Sequence, residues 1–216
     1  EDGEEGYPGN LSVKVLYSFD DNNVFSINYK ATTDKKTVLN LTNHAYFNLG
    51  GYDSGRIEGH TLWIDADKVS VVDNELIPTG EELSVENTPF DFRKEKLIGN
   101  EIDADYGLLK LGQGYDHNFI LNEDGTIKHI ATLKDPKSGR EMKVYTNQPC
   151  VQIYCANCIN EDESSFKNNF PQKKRCAVCL ETQHAPDSPN HKEFKSTELN
   201  PGELYDYTTV FKFENN

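Results

Sequence analysis

Two ionisable side chains stand inside otherwise apolar runs of the sequence. His44 lies within NLTNHAYFNL, residues 40–49, and Glu181 lies within VCLETQ, residues 178–183. Burying such groups in a strand costs free energy unless they are hydrogen-bonded or belong to a functional site. An imidazole and a carboxylate together offer a proton donor and a proton acceptor, and this combination suits general acid–base chemistry.

The surroundings of this pair leave two interpretations open. Strand alternation predicts that the even-numbered residues from Asn40 to Tyr46 share one face, which is either the floor of a cleft or a solvated outer face. Glu181 likewise either faces a site together with Cys179 and Gln183 or lies in water on an edge strand. The periodicity alone does not decide between them.

Further polar groups follow in GYDHNF, residues 114–119, and in PCVQIY, residues 149–154. Asp116, beside His117 and after a glycine, either orients a ligand or caps a turn. Gln152 adds an amide to a second strand-like run. Carboxylate and amide groups are hydrogen-bond partners that suit sugar hydroxyls, so both residues are candidates for a binding site.

The rest of the sequence predicts the elements that must position these groups. Residues 11–19 are apolar at every odd position, DDNN at residues 20–23 is typical of a turn, and residues 24–31 alternate again, which predicts a hairpin with one apolar side. Further strands are predicted at residues 37–46, 61–66, 119–121, 127–133, 141–146, 151–154, 177–183 and 205–213. Short helical turns are predicted at residues 90–94 and 97–102, and an exposed loop at residues 160–175.

This succession of short strands and turns predicts an all-β fold, a large antiparallel β-sandwich. Because no linker divides the chain, residues 1–216 are predicted to form one domain.

The net charge and the number of cysteines limit the classes of partner and the cellular compartment that the sequence favours. The net charge of −14 repels phosphate backbones and anionic lipids, so we expect no nucleic-acid or membrane partner. The sequence has no apolar run of about 18 residues, and its first ten residues do not have the pattern of a signal peptide. Five cysteines are an odd number for a disulfide scaffold, so we expect free thiols and a cytoplasmic location.

Several short motifs, taken in their order, give a more specific signal. NLTNHAYFNL at 40–49 and CLETQ at 179–183 occur with DGEEGYPGN at 2–10, IPTG at 77–80, YDHNF at 115–119, VQIY at 151–154 and PGELYDYTT at 201–209. This ordered set covers essentially the whole chain. It resembles the carboxy-terminal two-thirds of the aldose 1-epimerase (galactose mutarotase) family.

The resemblance implies a sugar cleft on the concave sheet of a β-sandwich. It implies interconversion of the α- and β-anomers of hexoses such as galactose and glucose, with no metal or nucleotide cofactor. On the matching positions, His44 is implied as the catalytic acid and Glu181 as the catalytic base. Asp116 and Gln152 match hexose-binding positions, and Tyr46 is implied to line the site.

One part of the family pattern has no counterpart in these 216 residues. It is the portion before DGEEGYPGN, which supplies a second active-site histidine and an Asn-Arg pair. We therefore expect the domain to be incomplete at its amino end, with exposed strand edges unless another chain or segment covers them. Made alone, these residues are expected to be inactive and poorly folded. The alternative function is a catalytically idle sugar-binding or structural module in a larger assembly.

The cysteines form a pattern that competes with this interpretation. Cys155, Cys158, Cys176 and Cys179 have the spacing C-x2-C-x17-C-x2-C, which is typical of a structural zinc site. The resemblance places Cys155 and Cys179 in sandwich strands near the sugar site, and neither turn has the glycine or basic residues of a zinc knuckle. We therefore expect no metal site, and a zinc-bearing β domain is the third alternative.

Overall fold

The computed structural model describes residues 1–122, 124–159 and 167–215, and within these ranges strands dominate. The strands are β1 (Leu11–Phe19), β2 (Val24–Thr33), β3 (Thr37–Val38), β4 (Tyr46–Phe47), β5 (Thr61–Ile64), β6 (Ala66–Val72), β7 (Pro78–Ser84), β8 (Lys96–Leu97), β9 (Asp116–Leu121), β10 (Lys128–Asp135), β11 (Arg140–Thr146), β12 (Cys150–Tyr154), β13 (Val178–Gln183), β14 (Glu198–Leu199) and β15 (Tyr205–Asn215). Helices are short: α1 (Gly107–Leu111) and 3-10 turns at Glu4–Gly6, Ile57–Gly59, Ile98–Asn100, Lys167–Asn169 and Ser188–Asn190. In these ranges no helix has the length and apolar character needed to span a bilayer.

Thirteen of the strands in the described ranges build two antiparallel sheets over one core, and β3 and β14 form a separate two-stranded sheet. The first sheet has seven strands in the order β1-β2-β15-β11-β10-β5-β8, and the second has six in the order β4-β13-β12-β9-β6-β7. Inward-facing residues of both sheets, among them Ile27 and Leu62 from the first and Val151 and Leu180 from the second, belong to one continuous apolar cluster. The predicted antiparallel β-sandwich is therefore confirmed.

Most of the predicted strands are confirmed, with ends that shift by a few residues. The turn after β1 is also confirmed, because the Asp20 carboxylate accepts hydrogen bonds from the backbone N–H groups of Asn22 and Val24, at 2.9 and 3.0 Å. Strands β6 and β7 are not predicted by the sequence, since charged residues interrupt their apolar alternation. The helical turn predicted at 97–102 is present as the 3-10 turn at Ile98–Asn100, whereas residues 90–94 contain no helix.

The prediction of a continuous strand over residues 37–46 is wrong. Only its two ends pair with other strands: β3 with β14, and β4 with β13. The residues between these ends, Leu39–Ala45, have no strand partner. Their alternating exposure is nevertheless as predicted, since Asn40, Thr42 and His44 are exposed while Leu39 is buried.

The prediction of an exposed loop at residues 160–175 is wrong for the last residue of that range. Residues 160–166 lie outside the described ranges. Arg175 is only 3% exposed, and its guanidinium donates to Asp103 and to Glu58. Its backbone carbonyl accepts from Ile57 N–H and its own N–H donates to Ala156 O, at 2.9 and 3.0 Å. Arg175 thus fixes the chain just before β13 through both its side chain and its backbone.

Strand β1 extends the core-facing side of the first sheet, but its residues on that side are not buried. Its odd-numbered residues pair directly with core residues of β2: Val15 with Tyr29, and Tyr17 with Ile27. Tyr29 and Ile27 are 3% and 2% exposed, whereas Val15 and Tyr17 are 39% and 62% exposed. Directly opposed residues lie on the same face, so the apolar side of the predicted hairpin exists but is buried only on β2.

His117 has a structural role on β9. Its ring packs against Phe90, with the centroids 4.6 Å apart. The backbone N–H of Asp116 donates to its Nδ1 at 3.0 Å, which leaves the proton on Nε2, 3.1 Å from the Leu108 carbonyl oxygen. Burial lowers the pKa of His117 to about 4, because the charged imidazolium would lose its water shell, and the bond to Leu108 opposes this only in part.

Acidification is expected to destabilise the fold partly through His117. The unfolded chain takes up this proton near its ordinary pKa of about 6.5 and the folded chain only near 4, so stability is lost as the pH falls through that window. The free energy of unfolding of the wild type decreases between pH 7 and pH 5, and His117→Gln should make this decrease smaller by roughly 2 kcal/mol. Denaturant titrations at both pH values measure this.

Phe90→Leu is the matched control for that measurement, because it disturbs the same packing without removing the titrating group. It should lower the free energy of unfolding by a similar amount at both pH values. An unchanged pH dependence in His117→Gln would contradict the assignment.

Candidate active site

Four adjacent strands of the six-stranded sheet bring the predicted site residues onto one face. The register aligns Tyr46 of β4 with Cys179 of β13, Cys179 with Tyr154 of β12, and Tyr154 with Asp116 of β9. Directly opposed residues in antiparallel strands share a face, so these four side chains form one row across the sheet.

A second row lies two residues further along the same strands. Here Glu181 of β13 pairs with Gln152 of β12, and Gln152 pairs with Asn118 of β9. Since the side-chain period of a strand is two, this row faces the same side as the first. The interpretation of Glu181 as an exposed edge-strand residue is wrong, because β13 lies between two other strands and Glu181 is 8% exposed.

His44 reaches this face from the segment before β4 and meets Glu181. Its Nε2 lies 3.4 Å from Oε1 of Glu181. The two side chains differ in their contact with water, since the His44 side chain is 52% exposed and the Glu181 side chain 11%. A ligand approaching the sheet would therefore meet the imidazole first, with the carboxylate beneath it.

Burial changes the acidity of the carboxylate in this pair. It raises the pKa of Glu181 to about 7, because the ionised form has lost its water. The nearby His44 imidazole opposes this rise, and the negative charge of Asp116 adds to it. A carboxyl group with a pKa near neutrality can both accept and return a proton, as a reversible proton transfer requires.

Asp116 and Gln152 form a hydrogen-bonding pair next to Glu181. Gln152 Nε2 donates to Asp116 Oδ1 at 2.6 Å. This leaves the Gln152 amide oxygen and the second carboxylate oxygen of Asp116 as acceptors for a ligand. Burial raises the pKa of Asp116, while the bond from Gln152 and the charge of His44 pull it down again. Beside them, Asn118 donates to Ser70 Oγ of the neighbouring strand β6 at 2.9 Å and so anchors the end of the second row.

Two tyrosines flank the imidazole. The rings of Tyr46 and Tyr154 lie 5.0 and 5.8 Å from the His44 ring, and 6.2 Å from each other. Tyr46 is half exposed and lies on the open side of the imidazole. Tyr154 was not singled out by the sequence. Strand alternation from Gln152 could have placed it on the same face.

The segment that carries His44 is fastened to both ends of β13 by asparagine side chains. At one end, Asn40 Nδ2 donates to His184 O at 2.9 Å and Asn40 Oδ1 accepts from His184 N–H at 3.0 Å. At the other end, Asn48 Nδ2 donates to Cys176 O at 2.8 Å. These side chains hold the segment to the backbone on either side of β13, without strand pairing along the segment itself.

A third fastening lies between them, at Leu41. Its backbone N–H donates to the hydroxyl of Tyr205 at 3.1 Å, and its carbonyl accepts from Gln148 Nε2 at 3.3 Å. Tyr205 opens β15 of the other sheet. The position of His44 therefore depends on both sheets.

The four cysteines with zinc-like spacing do not come together as a four-thiol cluster in the part of the chain that the structure describes. Cys155 and Cys179 are buried, whereas Cys158 is exposed, and no disulfide joins them. The set of possible metal ligands that does converge there is a different one: His44, Cys179 and Glu181, with donor atoms within 4.8 Å of one another.

The fold agrees with the family to which the chain belongs. The model of the aldose 1-epimerase family matches residues 1–212, and the chain is a member of that family.

Individual relatives support the same assignment. The chain is 45% identical over 212 residues to galactose mutarotase of Mus musculus and 39% identical over 216 residues to aldose 1-epimerase of Escherichia coli strain K12. These matches cover 98% and 99% of the chain, but 60% and 61% of the two relatives. The chain thus spans less than two-thirds of the length of these relatives.

Solved structures are similar over the whole chain. The crystal structure of a GalM/aldose epimerase homologue from C. elegans has a TM-score of 0.87 at 29% identity, and covers 100% of this chain and 63% of its own. Galactose 1-epimerase from Lactobacillus acidophilus NCFM has a TM-score of 0.83 at 32% identity, with 100% and 60% covered.

Asn40→Ala is expected to release one end of the His44 segment. It removes both a donor and an acceptor to His184, so the free energy of unfolding should fall by about 1–3 kcal/mol. Thermal and denaturant unfolding measure this. Thr42→Ala is the matched control, because its hydroxyl is exposed and makes only a 3.4 Å contact to the carbonyl of Asn43. Equal stability of the two variants would contradict the proposed role of Asn40 in holding the His44 segment.

Proposed function

We propose that the protein is an aldose 1-epimerase that interconverts the α- and β-anomers of hexoses such as galactose and glucose. Glu181 is the base, His44 is the acid, and Asp116, Gln152 and Tyr46 hold the sugar. The observation that supports this most directly is the facing pair itself: His44 Nε2 and Glu181 Oε1 lie 3.4 Å apart on an open sheet face, beside amide and carboxylate hydrogen-bonding groups.

The proposed reaction moves two protons and consumes none. The Glu181 carboxylate takes the proton of the anomeric hydroxyl while His44 Nε2–H protonates the ring oxygen, and the bond between the ring oxygen and the anomeric carbon breaks. The open-chain aldehyde then rotates about the bond from the anomeric carbon to its neighbour. Reclosure returns the proton from the ring hydroxyl to His44 and the proton from Glu181 to the new anomeric oxygen.

The environments of the two groups suit this exchange. Burial gives Glu181 a pKa of about 7, so its two protonation states have similar free energies at neutral pH. The half-exposed His44 can exchange its contact with Glu181 for a contact with a sugar ring oxygen. Gln152 and Asp116 orient one another, which leaves their remaining acceptor oxygens directed at ligand hydroxyls at little entropic cost.

Substitution of the pair tests the catalytic assignment. Glu181→Gln and His44→Asn are each expected to reduce kcat/KM for galactose mutarotation by about 10²–10⁴-fold, because each removes one proton-transfer group. Polarimetry on freshly dissolved α-galactose measures the rate. Glu198→Gln, on the short strand β14, is the control and should retain the wild-type rate.

Two results would contradict the proposal. One is undiminished mutarotation in Glu181→Gln. The other is hexose binding by the wild-type protein with no acceleration of mutarotation at all, which would favour the catalytically idle module.

We further propose that residues 1–216 form one domain whose β1 face is covered, in the complete active protein, by another segment or another chain. Two observations support this. The odd-numbered apolar residues of β1 extend the core face but are exposed. A cavity of about 900 Å³ also opens beside them, lined in part by Tyr7, Val13 and Leu39. A long edge strand with an exposed apolar face is otherwise an aggregation hazard.

A pair of substitutions on β1 tests this coverage in the complete active protein. Val15→Lys should cost on the order of 2 kcal/mol or more of stability if its face is covered, since a charge would be buried. Leu16→Lys, on the opposite face next to the polar Asn28, should stay within about 0.5 kcal/mol of the wild type. A neutral effect of Val15→Lys would show that the face is open to water.

We place the protein in the cytoplasm. The absence of a disulfide among five cysteines in the described ranges supports a reducing compartment.

A further inference from the structure

A thiol lies against the proposed acid–base pair and takes no part in the proton transfers. Cys179 Sγ is 3.4 Å from Nδ1 of His44, while Nε2 on the other side of the same ring faces Glu181. Cys179 precedes Glu181 by two residues on β13, so the two side chains emerge on the same face. The sheet thereby places three chemically different ligand groups around one point.

We propose that His44, Cys179 and Glu181 bind a borderline-soft divalent cation of the Zn²⁺ type, and that this ion and a hexose exclude one another. Imidazole nitrogen, thiolate sulfur and carboxylate oxygen are the ligand atoms that Zn²⁺ takes from proteins. Hard cations such as Mg²⁺ and Ca²⁺ prefer all-oxygen sites, so the ligand set favours the softer ion.

The observed spacing fits tetrahedral coordination. Zn–N and Zn–S distances of about 2.0 and 2.3 Å at a tetrahedral angle separate the two ligand atoms by about 3.5 Å. The distance between His44 Nδ1 and Cys179 Sγ is 3.4 Å. These two groups can therefore hold an ion without moving apart. All three donor atoms lie within 4.8 Å of one another, so the Glu181 carboxylate needs to approach by roughly 1 Å.

Access and charge also favour an ion at this point. The half-exposed His44 leaves the open face of the sheet as the route of entry. Glu181 and the nearby Asp116 offer negative charge to a cation. Binding converts the Cys179 thiol to a thiolate, and the released proton passes to solvent. The fourth coordination position is left for water.

A bound ion would occupy the base that the proposed reaction needs. His44, coordinated through Nδ1, would keep its proton on Nε2, but Glu181 would no longer be available to the anomeric hydroxyl. The exclusion of hexose rests on the proposed function, whereas ion binding by the three residues does not.

Cobalt titration of the purified protein tests the site, because Co²⁺ reports tetrahedral geometry and a sulfur ligand in its absorption spectrum. We expect one Co²⁺ per chain with a thiolate-to-cobalt charge-transfer band, and displacement of that ion by Zn²⁺. Cys179→Ser should abolish the band and weaken binding at least about tenfold, because a hydroxyl replaces the soft ligand. Cys158→Ser, which removes an exposed thiol that is not among the three proposed ligands, should leave both unchanged.

Glu181→Gln provides a second variant should the serine substitution disturb folding. It should retain the charge-transfer band with weaker binding. Absence of stoichiometric Co²⁺ binding, or a band that persists in Cys179→Ser, would overturn the site. Galactose is expected to raise the apparent Kd of the ion, and Co²⁺ binding that is indifferent to galactose would overturn the exclusion. Failure of mutarotation with intact cobalt binding would instead contradict the proposed function alone.

Discussion

The burial of one carboxylate is the constraint on which the site depends. Glu181 sits on β13, between β4 and β12, where water is largely excluded and an ionised group is costly. The cost appears as a pKa raised to about 7, and His44 reduces it by placing its imidazole 3.4 Å away. What makes the carboxylate unfavourable for stability also makes it suitable for reversible proton transfer. The rest of the structure keeps a histidine beside it.

That histidine is held in place by polar side chains that form hydrogen bonds with backbone groups. Asn40 and Asn48 fasten its segment to the residues that follow and precede β13, and Tyr205 reaches it from the other sheet. Arg175 in turn fixes the start of β13 through Asp103 and Glu58. His44 and Glu181 are thus held at the same strand by independent contacts. This explains how a segment without strand pairing can present a side chain at a defined position.

The parts of the structure that follow from local alternation could be predicted from the sequence. The β1–β2 hairpin, most strands of the sandwich and the shared face of Cys179 and Glu181 are of this kind. Contacts between distant residues could not be predicted: alternation puts Asn40 on either a cleft floor or a solvated outer face, whereas Asn40 and Asn48 bond to the backbone on either side of β13. Arg175 looked like part of a polar loop, because only tertiary structure supplies its two carboxylates. The convergence of His44 on Glu181 depended on family resemblance.

Proton transfer at the anomeric centre by His44 and Glu181 can be tested by the exchange of galactose anomers in deuterium oxide. Magnetisation-transfer NMR on the complete active protein reports the exchange rate and the fate of the carbon-bound hydrogens together. We expect accelerated exchange of the α- and β-anomers, with hydrogen retained at the anomeric carbon and its neighbour, because ring opening breaks no carbon–hydrogen bond. Exchange no faster than in buffer, or deuterium at the neighbouring carbon, would contradict this proton transfer.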